Sequence, residues 1–312
     1  MSTYVLGIDI GGTRIKLGVV DTDTGTVIGT VQPIDTPRDT EEHFYQAVVD
    51  QVDKHLASCQ LKRSDLAGMG VSIGSYCYAD GSIDGMSSFV PFMVEGYPLL
   101  PRLEQALGLK GAIDNDARLI GMAETHYGAG VGYDRTLTIT LGTGVGIGIC
   151  VDGKPMGEEA FFHLSGHVKV RTGGEFPNSL DREPCYCGMK GCFEGTCSGT
   201  SLEIYLKEVF GPEMTNKRFF ELAKEGDSKA KAHLDWYLEM VAAALNQYVY
   251  LYCPDVIILG GGVSKGLAPW LEDLKSRLVG QVHHLQKTEL VISQLMEDSG
   301  VLGAASLFAA LA

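Results

Sequence analysis

No stretch of this chain approaches the roughly 20 consecutive apolar residues that a helix needs to cross a bilayer, and no charged segment leading into an apolar one opens it. Membrane insertion and export are therefore not expected, and a cytoplasmic location is. Basic residues are also scarce: 25 Lys and Arg stand against 39 Asp and Glu, for a formal net charge of -14. Without a basic run or a basic helix, the electrostatic footprint of a nucleic-acid binder is missing. Small anions are not excluded, because oriented backbone amides and Mg²⁺ supply positive potential locally. At 312 residues and 45% hydrophobic content the chain can bury large cores, enough for two domains or one two-lobed unit without disulfide support.

What the chain does have is glycine in a particular setting. Leu141-Gly142-Thr143-Gly144-Val145-Gly146-Ile147-Gly148-Ile149 reads as a strand, a glycine-rich bend and a second strand. The same grammar occurs in Leu6-Gly7-Ile8-Asp9-Ile10-Gly11-Gly12-Thr13-Arg14-Ile15-Lys16-Leu17-Gly18-Val19-Val20, and each copy runs on into a turn, at Thr24-Gly25 and Asp152-Gly153. Glycine lets backbone N–H groups approach an anion and a Thr hydroxyl adds a donor, so either bend suits a phosphate. The dinucleotide fingerprint is a different device, since its glycines open a helix and these run into a strand. One such bend alone is more simply a flexible turn. Two in matched context predict two related lobes.

The pattern predicts strands over residues 4–10 and 15–20, a third over 27–33, and a helix over 40–57. An Asp39/Glu42 capping box would open that helix, and Phe44, Val48, Val52 and Leu56 share its apolar face. A buried strand is expected over 66–73, then a long loop without periodicity to about Pro98, of the kind that often carries function. Residues 112–114 end a strand and 117–127 form a helix, with Asn115 and Asp116 at the junction. Later helices are expected over 200–209, 217–225 and 228–252, the last with a core stripe running from Leu234 to Leu251. Residues 256–259 are a short strand leading into Gly260-Gly261-Gly262, a turn that brings backbone to a crevice suited to adenosine. Helices over 269–278 and 300–311 follow.

Cysteine use is uneven. Cys59, Cys150 and Cys253 fit the role of small apolar fillers, and with Cys77 they are scattered, while Cys185, Cys187, Cys192 and Cys197 crowd one stretch. That distribution suits a metal better than a secreted disulfide framework. Cys185-Tyr-Cys187-Gly-Met-Lys-Gly191-Cys192 sets three soft ligands on a loop whose glycines let it wrap one ion. The fourth ligand is upstream His167 or downstream Cys197. With His167 a Cys₃His tetrahedron closes around a structural Zn²⁺, leaving no open position for water activation.

These pieces in this order resemble the ROK family (repressors, open reading frames, kinases), and the likeness covers the whole chain. Its carriers are Asp9-Ile10-Gly11-Gly12-Thr13, Asn115-Asp116-Ala117, Leu141-Gly142-Thr143-Gly144, Gly260-Gly261-Gly262, and Gly166-His167 followed by Cys185-x-Cys187-Gly188-x-x-Gly191-Cys192-x-Glu194. The resemblance implies the α/β, bilobal ribonuclease H-like fold of actin, hexokinase and Hsp70-type ATPases. The N-terminal lobe would be residues 1–115, with a helix over 299–312 packing back on it, and the larger C-terminal lobe residues 116–298, with the zinc loop at 185–192. It implies a sugar kinase that transfers the γ-phosphoryl group of MgATP to a sugar hydroxyl, commonly O6 of a hexose or N-acylhexosamine. On that reading Asp116 is the general base and Asp9 helps hold hydrated Mg²⁺. Amides of Gly11, Gly12, Thr13, Gly142, Thr143 and Gly144 meet the phosphates, and Gly260, Gly261 and Gly262 lie near adenosine. Asn115, His167 and Glu194 contact sugar hydroxyls, and the assembly is a homodimer or a dimer of dimers. Taken alone, the same residues have plainer roles: Asp116 as a helix cap, Asn115 as a turn residue, Glu194 as a surface charge.

The chain departs from the family on the sugar side. Kinases of the family usually read Glu-x-Gly-His, where this chain has Leu164-Ser165-Gly166-His167. Their Pro-Asn pair is replaced around Ser88-Phe89-Val90-Pro91, and their Pro-Gly turn around Gly74-Ser75-Tyr76. Apolar groups in place of a carboxylate leave sugar hydroxyls unpaired, which weighs against glucose and for a sugar with an acyl, deoxy, anhydro or otherwise less polar edge, unless Glu158 or Glu159 replaces the missing acid. Other classes fit less well. A family repressor would carry a helix-turn-helix before the first glycine bend, where only eight residues precede Asp9. An Hsp70-type chaperone would need a peptide-binding domain. A non-catalytic sensor descended from a kinase would not need both bends and both aspartates.

Overall fold

The computed structural model describes residues 3–85, 90–157, 160–170, 185–295 and 298–311. The chain divides into two compact units, one comprising Met1–Val131, Gly153–Phe162 and Leu295–Ala312, the other Gly132–Asp152 and His163–Gln294.

The first unit is built on β1 (Tyr4–Ile10) and β2 (Arg14–Asp21), an antiparallel hairpin in register from Tyr4 opposite Asp21 to Ile10 opposite Ile15. Two short strands, β3 (Thr26–Ile28) and β4 (Ile34–Asp35), pair with β2 in place of the single strand expected over 27–33. The interruption falls where Gly29 takes φ 76° and Pro33 has no amide to donate. α1 (Glu41–Ser58) buries Phe44, Val48, Val52 and Leu56, the expected stripe. Its cap is Thr40, whose hydroxyl accepts the His43 amide, and not Asp39, whose carboxylate bonds the His43 ring at 2.8 Å. β5 (Gly68–Ile73) and β6 (Gly111–Asn115) extend the sheet in parallel, giving the order β3-β2-β1-β5-β6.

Between them lies α2 (Leu99–Leu107), a helix the sequence pattern does not reveal. Pro98 and Pro101 disguise it, although proline is tolerated in a first turn, and Leu99, Leu103 and Leu107 bury one face. Val90 is 2% exposed and belongs to the core of this unit, so its apolar side chain serves packing. Ser88 and Phe89 lie outside the described residues. α3 (Asp116–Tyr127) follows β6 directly.

The second unit repeats the plan. β7 (Arg135–Leu141) and β8 (Val145–Val151) form an antiparallel hairpin from Arg135 opposite Val151 to Leu141 opposite Val145. The two-residue β9 (Lys154–Pro155) falls in the first unit's share of the chain. Then come α4 (Phe193–Cys197), α5 (Gly199–Phe210), α6 (Asn216–Glu225) and α7 (Ser228–Tyr252). α7 buries its stripe from Leu234 to Tyr248, but Leu251 is 63% exposed and drops out of it. β10 (Val256–Gly260) runs parallel to β7 and leads into α8 (Gly262–Leu267); α9 (Leu271–Gln281) and β11 (Glu289–Ile292) follow. The helix expected from 269 starts at Leu271, because Ala268–Trp270 form a 3₁₀ turn.

The series β2-β1-β5-β6 and β8-β7-β10-β11 share one pairing pattern, antiparallel, then parallel, then parallel. That is the repetition the two glycine bends predict, and it is the ribonuclease H-like α/β fold class.

α10 (Ser299–Leu311) returns to the first unit and docks backbone against backbone. A Cβ at Gly70 would lie 1.6 Å from the carbonyl oxygen of Ala304, one at Gly7 2.2 Å from that of Val301, and one at Gly303 1.9 Å from that of Leu119 in α3. α3 is gripped by the same contact, with Ala123 sharing a cluster with Val301, Leu302 and Ala305. The first unit accordingly takes in α3, its first stretch running to Val131, past the boundary expected at residue 115. Among the described residues no helix is long and apolar enough to cross a membrane.

Candidate functional site

In the first unit the carboxyl ends of β1, β5 and β6 lie side by side, with Ile10 opposite Ile73 and Ile73 opposite Asn115. Open α/β sheets take ligands at such ends. Asp9 Oδ1 accepts the Ser72 hydroxyl at 2.8 Å from the neighbouring strand. Burial pushes the Asp9 carboxyl up to about 6, against the Ser72 hydrogen bond; Asp116 adds repulsion and Lys16, its register partner in β2, attraction. Gly300 lies against it, where a Cβ would fall 2.5 Å from Oδ2.

Asp116 opens α3. Burial raises its carboxyl above the ordinary value, although the Ala117 amide donates to Oδ1 at 2.7 Å. A desolvated carboxylate is a stronger proton acceptor than one in water. The helix cap is the residue before it: Asn115, 2% exposed, accepts the Ala117 amide on Oδ1 at 3.0 Å and donates from Nδ2 to the Ser75 carbonyl at 3.3 Å. The Gly74-Ser75 turn thus buttresses the junction, and a Cβ at Gly74 would lie 3.4 Å from Asp116 Oδ2. In the first glycine bend the Gly11 amide donates to the Arg14 carbonyl at 2.9 Å. Thr36 holds that bend, its hydroxyl on the Gly11 carbonyl at 2.7 Å and its amide on the Thr13 carbonyl at 3.0 Å.

In the second unit the corresponding bend closes through the Gly142 amide, which donates to the Gly144 carbonyl at 3.0 Å. The Gly260-Gly261-Gly262 turn sits beneath it: Gly261 has φ 84°, and a Cβ there would lie 2.5 Å from the Leu141 carbonyl oxygen. Glu194 reaches the bend from α4, where its Oε2 accepts an amide at the start of β8, and a Cβ on Gly144 would meet that oxygen at 2.8 Å. Leu164 is 38% exposed, in a 3₁₀ segment (Ala160–His167) whose Ser165 carbonyl accepts the Tyr248 hydroxyl at 2.7 Å. Glu158 and Glu159 lie outside the described residues.

Backbone pairing brings His167 to the cysteines. The Phe193 amide donates to the Val168 carbonyl at 2.8 Å and the Val170 amide to the Gly191 carbonyl at 3.0 Å, which lays residues 168–170 along 191–193. Gly188 and Gly191 turn the loop at φ 82° and 73°. The ligand atoms of His167, Cys185, Cys187 and Cys192 all fall within 4.8 Å of one another. His167 Nδ1 is 3.8 Å from Cys185 Sγ and 3.7 Å from Cys192 Sγ, and Cys187 Sγ is 3.9 Å from Cys192 Sγ. Bonds of about 2.3 Å to sulfur and about 2.0 Å to nitrogen give tetrahedral edges of about 3.5–3.8 Å, so the donor set fits zinc. Burial pushes the Cys192 thiol up to about 12, against the Gly195 amide, which lies 3.2 Å from its Sγ. Between the two possible fourth ligands the geometry selects His167; Cys197 is fully buried beside Tyr237, whose hydroxyl bonds its carbonyl. His167 Nε2 lies 2.8 Å from the Tyr186 hydroxyl.

Ser72, Thr36 and Gly300 escape the sequence reading. A serine inside the apolar run of β5 is the one available signal; the other two depend on contacts between distant segments.

A family model described as the ROK family matches residues 5–310. The glucokinase of Thermotoga maritima is 30% identical over 97% of this chain and 96% of its own length. The N-acetylgalactosamine kinase AgaK of Shewanella sp. is 30% identical over 96% and 95%. Among solved structures, a ROK hexokinase from Thermus thermophilus superposes with a TM-score of 0.84 at 26% identity, covering 99% of this chain and 100% of that one. A ROK family glucokinase from Streptomyces griseus, solved with glucose and AMPPNP, gives a TM-score of 0.74 at 27% identity, covering 97% and 98%.

Proposed function

The chain belongs to the ROK family, and from that premise we propose that it is an ATP-dependent carbohydrate kinase acting on a hexose or modified hexose, with O6 as the acceptor. The observation that carries the reading is the pair Asp9 and Asp116 at the carboxyl ends of one sheet, both raised by burial, with the charge of Asp116 felt at Asp9. Two desolvated carboxylates there suit one to a cation and the other to a proton.

Asp116 accepts the hydroxyl proton as the sugar oxygen bonds to the γ-phosphorus, while the bond from that phosphorus to the bridging oxygen breaks and ADP leaves. In the first unit Asp9 would hold hydrated Mg²⁺, which supplies charge neutralisation for the phosphates. Because the Gly11 and Gly142 amides close their own bends, the contacts to phosphate fall to Gly12 and Thr13 in one unit and to Thr143 and Gly144 in the other. Gly260, Gly261 and Gly262 are assigned to adenosine, and Asn115, His167 and Glu194 to sugar hydroxyls. The Zn²⁺ set of His167, Cys185, Cys187 and Cys192 is structural and orients His167.

Glucokinase and N-acetylgalactosamine kinase relatives are equally similar, so likeness alone does not choose the sugar. An exposed Leu164 favours a substrate with a less polar edge over plain glucose. A coupled assay of ADP formation against hexoses, N-acylhexosamines, deoxy- and anhydro-sugars and polyols tests the reading, with Asp116→Asn as the blank. One strong hit lost in the variant supports it. Nucleotide binding without turnover on any sugar moves the protein to the sensor class.

A further inference from the structure

Arg118 is a cation only 6% exposed, in the first turn of α3, and the chemistry above leaves it without a part. Its Nε donates to Asp114 Oδ2 at 2.9 Å, its Nη1 to the Met156 carbonyl at 3.4 Å and its Nη2 to the Gly157 carbonyl at 3.3 Å. The other oxygen of Asp114 accepts the Asn115 amide at 2.7 Å. The ion pair therefore brackets the residues between its members, Asn115, Asp116 and Ala117, and ties that junction to the segment around 156–157 of the same unit. Burial raises the Cys77 thiol, and the charges of Asp114, Asp84, Asp116 and Arg118 all reach it.

Burying two opposite charges costs about as much as their attraction returns, so stability is a poor reason for such a pair. A guanidinium offers something else: a rigid planar fork whose donors hold several acceptors in fixed relation. We propose that Arg118 is a positioning residue for phosphoryl transfer, clasping Asp114 and the 156–157 backbone so that the Asp116 carboxylate is held where it meets the acceptor hydroxyl. This rests on the kinase reading.

The test uses the full chain with Arg118→Met, Arg118→Lys and Asp114→Asn, reading kcat, sugar and ATP KM, and amide hydrogen exchange. Arg118→Met should lower kcat by on the order of 100-fold, the cost of a small misplacement at a reacting group, with both KM values little changed. Arg118→Lys keeps the charge without the fork and should recover only part of the rate. Exchange should quicken together at 115–117 and at 153–157. Unchanged kcat, a loss carried wholly by KM, or full recovery with Lys overturns the inference. A wild-type protein without turnover sinks the kinase reading instead; exchange then decides, since a change confined to one of the two segments refutes the clasp. Should Arg118→Met fail to fold, the Lys and Asn variants carry the same measurements.

Discussion

The carboxylate of Glu194, two residues past Cys192, accepts the amide hydrogen of Val145 at 3.0 Å. That hydrogen bond joins the helix that follows the cysteine loop to the second glycine bend.

Metal removal should therefore reach further than stability. The purified protein should hold one zinc per chain by elemental analysis, lost in Cys192→Ser or on prolonged chelation. Loss should lower the Tm and weaken binding of a non-hydrolysable ATP analogue measured by calorimetry. Cys197→Ser should keep its zinc, since that thiol stands outside the cluster.

Replacing the base should separate binding from turnover. Asp116→Asn is expected to lower kcat by about 10²–10⁴-fold, the usual worth of a positioned proton acceptor, with the sugar Kd by calorimetry nearly unchanged. In the wild type kcat/KM should rise with pH as Asp116 loses its proton. Because burial raises that carboxyl, the limb should lie above the ordinary carboxylate range.

Asp9 should cost the protein stability that its function requires. Its carboxyl titrates near 6 in the folded chain against 3.8 when free, so between those values the folded state holds more protons than the unfolded one. Stability from this group is then lost as pH rises through the window, by on the order of 3 kcal/mol above it. In Mg²⁺-free buffer Asp9→Asn should match wild type below about pH 4 and be the more stable protein at pH 7. A constant difference across that range in thermal melts would refute the burial argument. Turnover should be lost at every pH.

Leu164 offers a gain-of-function test. Leu164→Glu restores the acid that kinases of this family usually carry, and should raise kcat/KM for glucose relative to the wild type's best modified sugar, by about tenfold or more if the new carboxylate pairs a sugar hydroxyl. An unchanged ratio would mean that Leu164 does not face the sugar.

The two strand–bend–strand copies were legible because glycine and alternating apolar residues announce themselves locally. α1 and α7 were legible for the same reason, their stripes recurring every three or four residues. α2 was not, because Pro98 and Pro101 imitate a loop. The close packing of α10 is not legible in the same way, because Gly70 against Ala304 and Gly303 against Leu119 join segments far apart in sequence. At the site the same divide holds. Asp9, Asp116 and the cluster of His167, Cys185, Cys187 and Cys192 sit in recognisable motifs, whereas the contacts of Ser72, Thr36, Gly300 and Arg118 exist only once folding has chosen their neighbours.

α10 is made after nearly everything it touches. While a ribosome is still extending the chain, the second unit can already have all its strands, yet the first unit's sheet waits with its glycine-lined face uncovered and Asp9 without the Gly300 backbone beside it. A prematurely terminated polypeptide would carry both glycine bends and the metal loop but an unfinished acid pair. Such a fragment would expose apolar surface for chaperones and proteases to recognise, and it would have no competent centre with which to consume ATP.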